Sequence, residues 1–317
     1  MPESKLYSDV LFIGNGINNI NNSKSWESLV ASLRKKVGKN EDAKDIIKQF
    51  PLLFENILNY GIRNGRIVDQ NSLKKIVAQK VQRIKRNAIH DRIEKLSPAN
   101  IITTNYDLVL EQGNNWNENC IIKESIFSIF RRQTSDTGRN IWYIHGRCLN
   151  ESSINLGYEH YGGQLQQIRS FIIYGKKNKA LNIDIKALRY RIGHLEDNPD
   201  SWIDLFFKSD IHIIGLSLDF IEIELWWLLA YRAKLLTKSK RKVFNNIYYY
   251  MPIKYLDDSK GKLELLHNFG INVRPLEGDK ESYYNNVFDI VEGKTTFENK
   301  KKAVMNSVNR WLEEIIN

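Results

Sequence analysis

DVLFIGNGIN, residues 9–18, decides the fold. Val10 to Ile13 form an unbroken apolar run, and Gly14-Asn15-Gly16 follows at once. A short apolar run closed by turn residues reads as a strand buried on both faces. A tight glycine turn at its carboxyl end is how open parallel α/β sheets of the nucleotide-binding kind begin.

Working outward, SWESLVASLRKKV (25–37) has helical spacing, and DIIKQFPLLFENILNYGIRN (45–64) reads as a helix pair interrupted at Pro51. From Leu73 to Ile93, the residues Leu73, Ile76, Val77, Val81 and Ile84 fall on one helix face. Residues of about 24–96 therefore read as a helical insertion ahead of a second strand, Asn100 to Thr104. NIWYIHG (140–146) is the next short strand, and residues of about 150–205 read as a second insertion or lid. DIHIIGLSL (210–218) is a buried strand with a Gly-x-Ser turn that opens the apolar helix DFIEIELWWLLAYRAKLL (219–236). NNIYYYMP and INVRPLEG read as late strands separated by the helix KGKLELLHNFG. Val304, Val308, Trp311, Leu312 and Ile315 share one face of a C-terminal helical tail, set at 281–317. The alternation predicts an α/β fold: a doubly wound, mostly parallel, Rossmann-like sheet with a helical insertion, spanning 1–280.

The 317 residues, 42% hydrophobic and 26% charged, fit a soluble globular chain. No apolar run approaches the roughly 20 residues needed to cross a bilayer. MPESKLYSDV lacks the basic-then-apolar layout of a signal peptide. Two cysteines, Cys120 and Cys148, make neither a disulfide framework nor a CxxC zinc site. A cytoplasmic setting, with no membrane and no metal, is the expectation. The formal charge of +10 is scattered over runs such as KKIVAQKVQRIKR and KSKRK. Such runs are usually solvated faces, so nucleic acid is not the favoured partner.

Four strand ends carry candidate chemistry, and each has two readings. Gly14-Asn15-Gly16 is either a plain turn or a close approach to a pyrophosphate. The GxGxxG fingerprint fails at Asn19, and no acid is placed about 20 residues on, which argues against an ordinary dehydrogenase. Thr104, Asn105 and Asp107 follow the second strand. Asn105 offers a donor and an acceptor to a water or carboxamide, Asp107 accepts from an amide, and either is equally a cap for a helix beginning at Leu108. His145 before Gly146 is a general base or sugar-hydroxyl partner, or a hydrogen-bonded core histidine, with His160 in reserve. Gly215 and Ser217 mark a phosphate-accepting helix start or a simple capped turn. Trp226-Trp227 read as core or subunit interface. Together, these strand ends in order offer small or polar groups to one crevice.

FIGNGIN, ITTNYD, WYIHG and IIGLSL resemble, in order, the four nucleotide-site motifs of sirtuins. Sirtuin deacylases follow the first glycine turn with a proline-aspartate-phenylalanine-arginine stretch. SKSWESLV stands there instead and, like LDFIEIELWWLL, is similar to the sirtuin-like NAD hydrolases of bacterial antiphage defence. The resemblance covers roughly residues 8–275. It implies NAD as substrate, with Asn105 positioning the attacking water or ribose carbon and His145 beside the nicotinamide ribose. It implies a phosphate loop of Gly14, Asn15, Gly16 and Asn18, and Asp107 on the carboxamide. Gly215 and Ser217 would lie near the adenosine half, Thr104 among the ligand contacts, and Trp26 in a covering loop. Deacylases of this fold carry a four-cysteine zinc module that two cysteines cannot supply, so water rather than acetyl-lysine is the implied acceptor. The remaining alternatives are ADP-ribosyl transfer, deacylation, or a non-catalytic subunit binding NAD, ADP-ribose or nucleic acid. Unchecked NAD hydrolysis would kill a host. The resemblance therefore implies gating by homo-oligomer assembly, by an activating partner protein such as an ATPase, or by a nucleotide signal.

Overall fold

The computed structural model describes residues 7–21, 26–40, 49–112, 116, 126–178, 183–192, 199–237, 243 and 245–296. Cys120 and the apolar spacing read from Val304 to Ile315 lie outside them.

Seven strands form one sheet: β1 (Tyr7–Ile13), β2 (Pro98–Thr103), β3 (Arg132–Thr134), β4 (Asn140–Tyr143), β7 (Ile211–Ile214), β8 (Ile247–Pro252) and β9 (Asn272–Leu276). Their spatial order is β3-β4-β2-β1-β7-β8-β9. All neighbours are parallel except β3, which runs antiparallel along β4 as an edge. The remaining pair, β5 (Gly175–Asn178) and β6 (Ile183–Lys186), is a separate antiparallel hairpin.

Side chains alternate across a strand, and β1 shows the result directly. Val10 and Phe12 join one apolar cluster, Leu11 and Ile13 the other. The first face is covered by α5 (Tyr158–Tyr174), α7 (Trp202–Lys208), α8 (Ile223–Leu236) and α9 (Lys260–Asn268), through residues such as Phe171, Phe206, Leu228 and Leu263. The second is covered by α4 (Ala88–Leu96) and α10 (Lys280–Val291), through Ile93 and Phe288. Helices on both faces of a mostly parallel sheet make this an α/β, Rossmann-like architecture.

A third core lies apart from the sheet. It joins α1 (Trp26–Val37), α2 (Phe50–Arg63) and α3 (Gln70–Val81) through Leu33, Phe54, Ile57 and Val77. The segment read as one insertion thus divides, since α4 packs on the sheet and only α1–α3 share this core. Likewise the 150–205 segment supplies α5 and α7 to the sheet's first face, with the four-residue α6 (Leu188–Arg191) between them. The segment set apart from 281 opens with α10, whose Val287 and Phe288 are buried against the sheet.

Several local expectations need correction. The apolar period from Leu73 runs past the true helix end. α3 stops at Val81, Asn87 caps α4 by accepting from Ile89 N, and Ile84 falls in the turn between. Pro51 lies in the first turn of α2, which needs no proline N–H, and the first half of the helix pair read there, residues 45–48, lies outside the described residues. No helix opens at Ser217: α8 begins at Ile223, after a loop in which Leu218 holds φ +47°. The hairpin of β3 went unread because its three residues, Arg-Gln-Thr, carry no apolar pattern.

At the sheet's centre the strand order reverses between β1 and β7, and the two strand ends touch there. Gly14 N donates to Ile214 O at 2.9 Å and Gly16 N to Gly215 O at 2.8 Å. A Cβ on Gly14 would sit 2.4 Å from the Gly215 carbonyl oxygen, and one on Gly16 2.5 Å from the Tyr284 hydroxyl. Backbone meets backbone, so the glycines are steric necessities. Gly14→Ala should therefore lower stability by about 1–3 kcal/mol in urea denaturation. An unchanged midpoint would contradict this contact.

Candidate functional site

Beyond these strand ends lies a cavity of about 470 Å³. Its walls include Asn15, Gly16, Thr104, Asn105, Asp107, His145, Gly215 and Ser217, so eight of the residues singled out in the sequence meet there. Gly14 and Asn18 stand behind that wall. Trp26 opens α1, which contributes Ser28 and Leu29 to the cavity; the Trp26 side chain is outside the described set.

The chain after β2 is fixed before it reaches the cavity. Thr103 Oγ1 donates to Ile13 O at 2.9 Å and accepts from Asn105 N at 3.0 Å, tying the exit of β2 to the end of β1. Asn105 is 6% exposed. Its Nδ2 reaches Gly14 O at 3.4 Å, while its buried Oδ1 has no hydrogen-bond partner. A buried amide oxygen left unpaired costs about 1–3 kcal/mol, which marks it as an acceptor awaiting a ligand donor or water. Tyr106 also lines the cavity and packs into the α1–α3 core, with its hydroxyl donating to Asn155 O at 2.6 Å.

Asp107 is already engaged. Oδ1 accepts from Val109 N at 3.0 Å, two residues on and at the start of a 3-10 turn at Val109–Glu111, and Oδ2 accepts from Asn18 Nδ2 at 2.9 Å. Burial raises its pKa above the ordinary carboxyl value. Asn18 also donates to Asn15 Oδ1 at 2.9 Å and accepts from His90 Nε2 at 3.1 Å. Nδ1 of His90 lies against Asn87, 3.2 Å from its N and 2.8 Å from its Oδ1. Burial first, then Arg86, pushes the His90 pKa down to about 4. His90, Asn18 and Asp107 thus form a chain behind the cavity in which the imidazole is neutral at pH 7. Asn18 positions Asn15 and Asp107 rather than facing the cavity.

His145 follows β4 and is 2% exposed. Ile144 N bonds Thr103 O at 3.1 Å, and Asn155 N bonds His145 O at 2.8 Å, so the turn is held on both sides. Gly146 takes φ +104°, where a Cβ would lie 2.2 Å from Ser153 O. The imidazole packs edge-on against Tyr161 of α5, with centroids 5.4 Å apart. Its Nε2 lies 2.7 Å from Oε1 of the fully buried Glu224. With Nε2–H donating to that carboxylate, Nδ1 is left as the acceptor. Behind the turn, Glu111 accepts from Arg147 Nε at 3.0 Å and also from Arg147 Nη2 and the Tyr143 hydroxyl.

Sequence reasoning missed the acids of α8. Glu224 orients His145, and Glu222 lines the cavity. Their signal was two glutamates, flanking Ile223, at the head of an otherwise apolar helix. Lys80 and Arg83, from the end of α3 and the turn after it, also line the cavity. The reserve histidine, His160, is a cap: Nδ1 accepts from Leu156 N at 3.0 Å and Gly157 N at 2.8 Å. Ser217 reaches the wall as part of a loop, its carbonyl accepting from Tyr249 Oη at 3.1 Å and Lys262 Nζ at 2.8 Å. Cys148 is buried, its thiol pushed up to about 11 by burial. Among the described residues no group of three or more His, Cys, Asp or Glu gathers to hold a metal, and no helix is long and apolar enough to cross a membrane.

No family model matches the chain, and no curated protein matches its sequence.

The caps have a measurable pH signature. Burial, then the Lys74 ammonium, lowers the His160 pKa to about 4, so its contribution to stability is complete above 6.5 and lost as pH falls toward 4. Glu222, raised to about 8, acts with the opposite sign between 4.5 and 8, so the test is a difference. His160→Asn should be less stable than wild type by about 1–2 kcal/mol at pH 7. That gap should close by pH 4, read from urea midpoints at both values.

Proposed function

We propose that this chain is an NAD glycohydrolase, cleaving the nicotinamide–ribose bond with water to give nicotinamide, ADP-ribose and a proton. One observation carries the reading. Asn105, with an unpaired buried amide oxygen, and His145, oriented by Glu224, converge on one cavity beside the glycine contact of β1 and β7. In open α/β sheets, the crevice where strand order reverses is where nucleotides bind. The walls also suit a dinucleotide's charges: Asp107 and Glu222 face a ligand that carries a pyridinium, while Lys80 and Arg83 face one that carries phosphates.

The chemistry asks little of an acid, because nicotinamide departs neutral from a pyridinium. The barrier lies in building oxocarbenium character on the ribose, and a held water lowers it by orientation. Asn105 Oδ1 accepts a hydrogen bond from that water. His145 Nδ1 accepts from a ribose hydroxyl and takes up the proton released. Asp107, with both oxygens engaged, acts on the carboxamide only if it exchanges a partner; its present bonds fix the loop that carries Asn105. The sirtuin-like kinship and the role in antiphage defence rest on the four motifs and SKSWESLV, as do homo-oligomer assembly and gating by an ATPase-like partner or a nucleotide signal.

Asn105→Ala and His145→Ala should each cut nicotinamide release by about 10²–10³, or roughly 2–4 kcal/mol of barrier, with the fold retained. The measurement is chromatographic quantitation of nicotinamide from purified protein and NAD, with and without lysate from phage-infected cells. Wild-type rates in both variants would sink the site assignment. Wild-type protein that binds NAD but never releases nicotinamide under either condition would point to a binding subunit, and ADP-ribose appearing on protein would point to transfer.

Glu224→Gln keeps the shape but removes the carboxylate that fixes the imidazole. It should lower turnover by about 10²-fold with KM little changed. A KM effect alone would mean that Glu224 serves binding rather than His145.

A further inference from the structure

Two acids stand at the head of α8 with different surroundings. Glu224 is fully buried against His145. Glu222, at the N-cap, is 8% exposed and forms part of the cavity wall. Its Oε2 accepts from Asp219 N at 3.0 Å, and its Oε1 has no hydrogen bond among the described residues. The groups whose charge reaches it come from every side: Glu224 and Asp219 from its own helix and loop, Lys262 from α9, Tyr106 from the β2 loop, Tyr161 from α5 and Tyr249 from β8. The three tyrosines are pushed further up by burial and stay neutral. Lys262 is committed to the Ser217 carbonyl. Two acids and one cation therefore act on this carboxyl, in a wall that also holds Asp107.

We propose that Glu222 is the counter-ion for a cationic head group in this cavity and releases its proton to solvent as that head group enters. The inference rests on the dinucleotide reading, in which the head group is the oxidised pyridinium ring. The carboxyl O–H bond breaks, the proton goes to buffer, and the carboxylate balances the ring's positive charge. The reduced ring is neutral and triggers no such release. Burial, with Glu224 next, holds the carboxyl at about 8 in the free protein, so roughly nine sites in ten carry the proton at pH 7. A cation favours the ionised form. Affinity for the oxidised ligand therefore rises with pH until the free carboxyl has itself ionised.

The test is titration calorimetry at pH 7 in two buffers of different ionisation enthalpy, with two ligands. One is carba-NAD, a cationic analogue whose carbocyclic ring prevents cleavage; the other is NADH. Carba-NAD should release about one proton per site and NADH about none. Between pH 7 and 9, carba-NAD should bind about tenfold more tightly and NADH equally well. Glu222→Gln should abolish both the proton release and the pH dependence while still binding NADH, which shows that its pocket is intact. Equal proton counts for the two ligands on the wild-type protein overturn the proposal and leave the dinucleotide reading standing. Failure of both ligands to bind overturns the dinucleotide reading and this inference with it.

Discussion

The contact between the ends of β1 and β7 sets everything else. Gly14 and Gly16 lie so close to Gly215 that no side chain fits between them. That approach draws two neighbouring parallel strands into register at the point where the sheet changes direction. The loops that leave these strands must then diverge, and the divergence opens the cavity. The glycines shape the space, and side chains from β2, β4 and α8 furnish it.

What furnishes it is a graded set of buried polar groups. The outer ring is satisfied: Asp107 by Val109 and Asn18, Asn18 by His90, and Glu111 by Arg147. Such networks are costly unless complete, and their completeness fixes the loops. The inner groups are incomplete by comparison. Asn105 keeps a bare oxygen, and Glu224 spends one carboxylate oxygen on His145 while the other has no partner. Of the two, Asn105 lines the cavity, and Glu224 stands behind it against His145.

Much of this was legible in the chain. Apolar runs ending in glycine gave β1 and β7, because a strand covered on both faces needs no alternation and stands out as a block. The order of ITTNYD, WYIHG and IIGLSL placed Asn105, His145 and Gly215 in one crevice, because carboxyl ends of parallel strands all face one way. Less local facts were hidden. The break after Val81 does not show in the apolar period, since Ile84 continues the spacing yet turns into the cavity wall. The Glu224–His145 pair joins residues 79 apart and depends on how α8 crosses the sheet. His90 and Asn18 are joined across 72 positions by a buried hydrogen bond. Asp107 read two ways from sequence, as a cap or as a ligand group, and its observed bonds hold the turn through Val109 N and Asn18 Nδ2.

Tyr106 sits between Asn105 and Asp107, yet its ring belongs to the α1–α3 core. One turn of chain is thus gripped by two bodies, the sheet through Thr103 and the helical insertion through Tyr106. Close-packed interiors are nearly incompressible. A displacement of those three helices is therefore not absorbed at the ring; it is handed on to the adjacent residue, Asn105. The three-helix insertion and the Asn105 wall of the cavity are thus mechanically joined through a single aromatic ring.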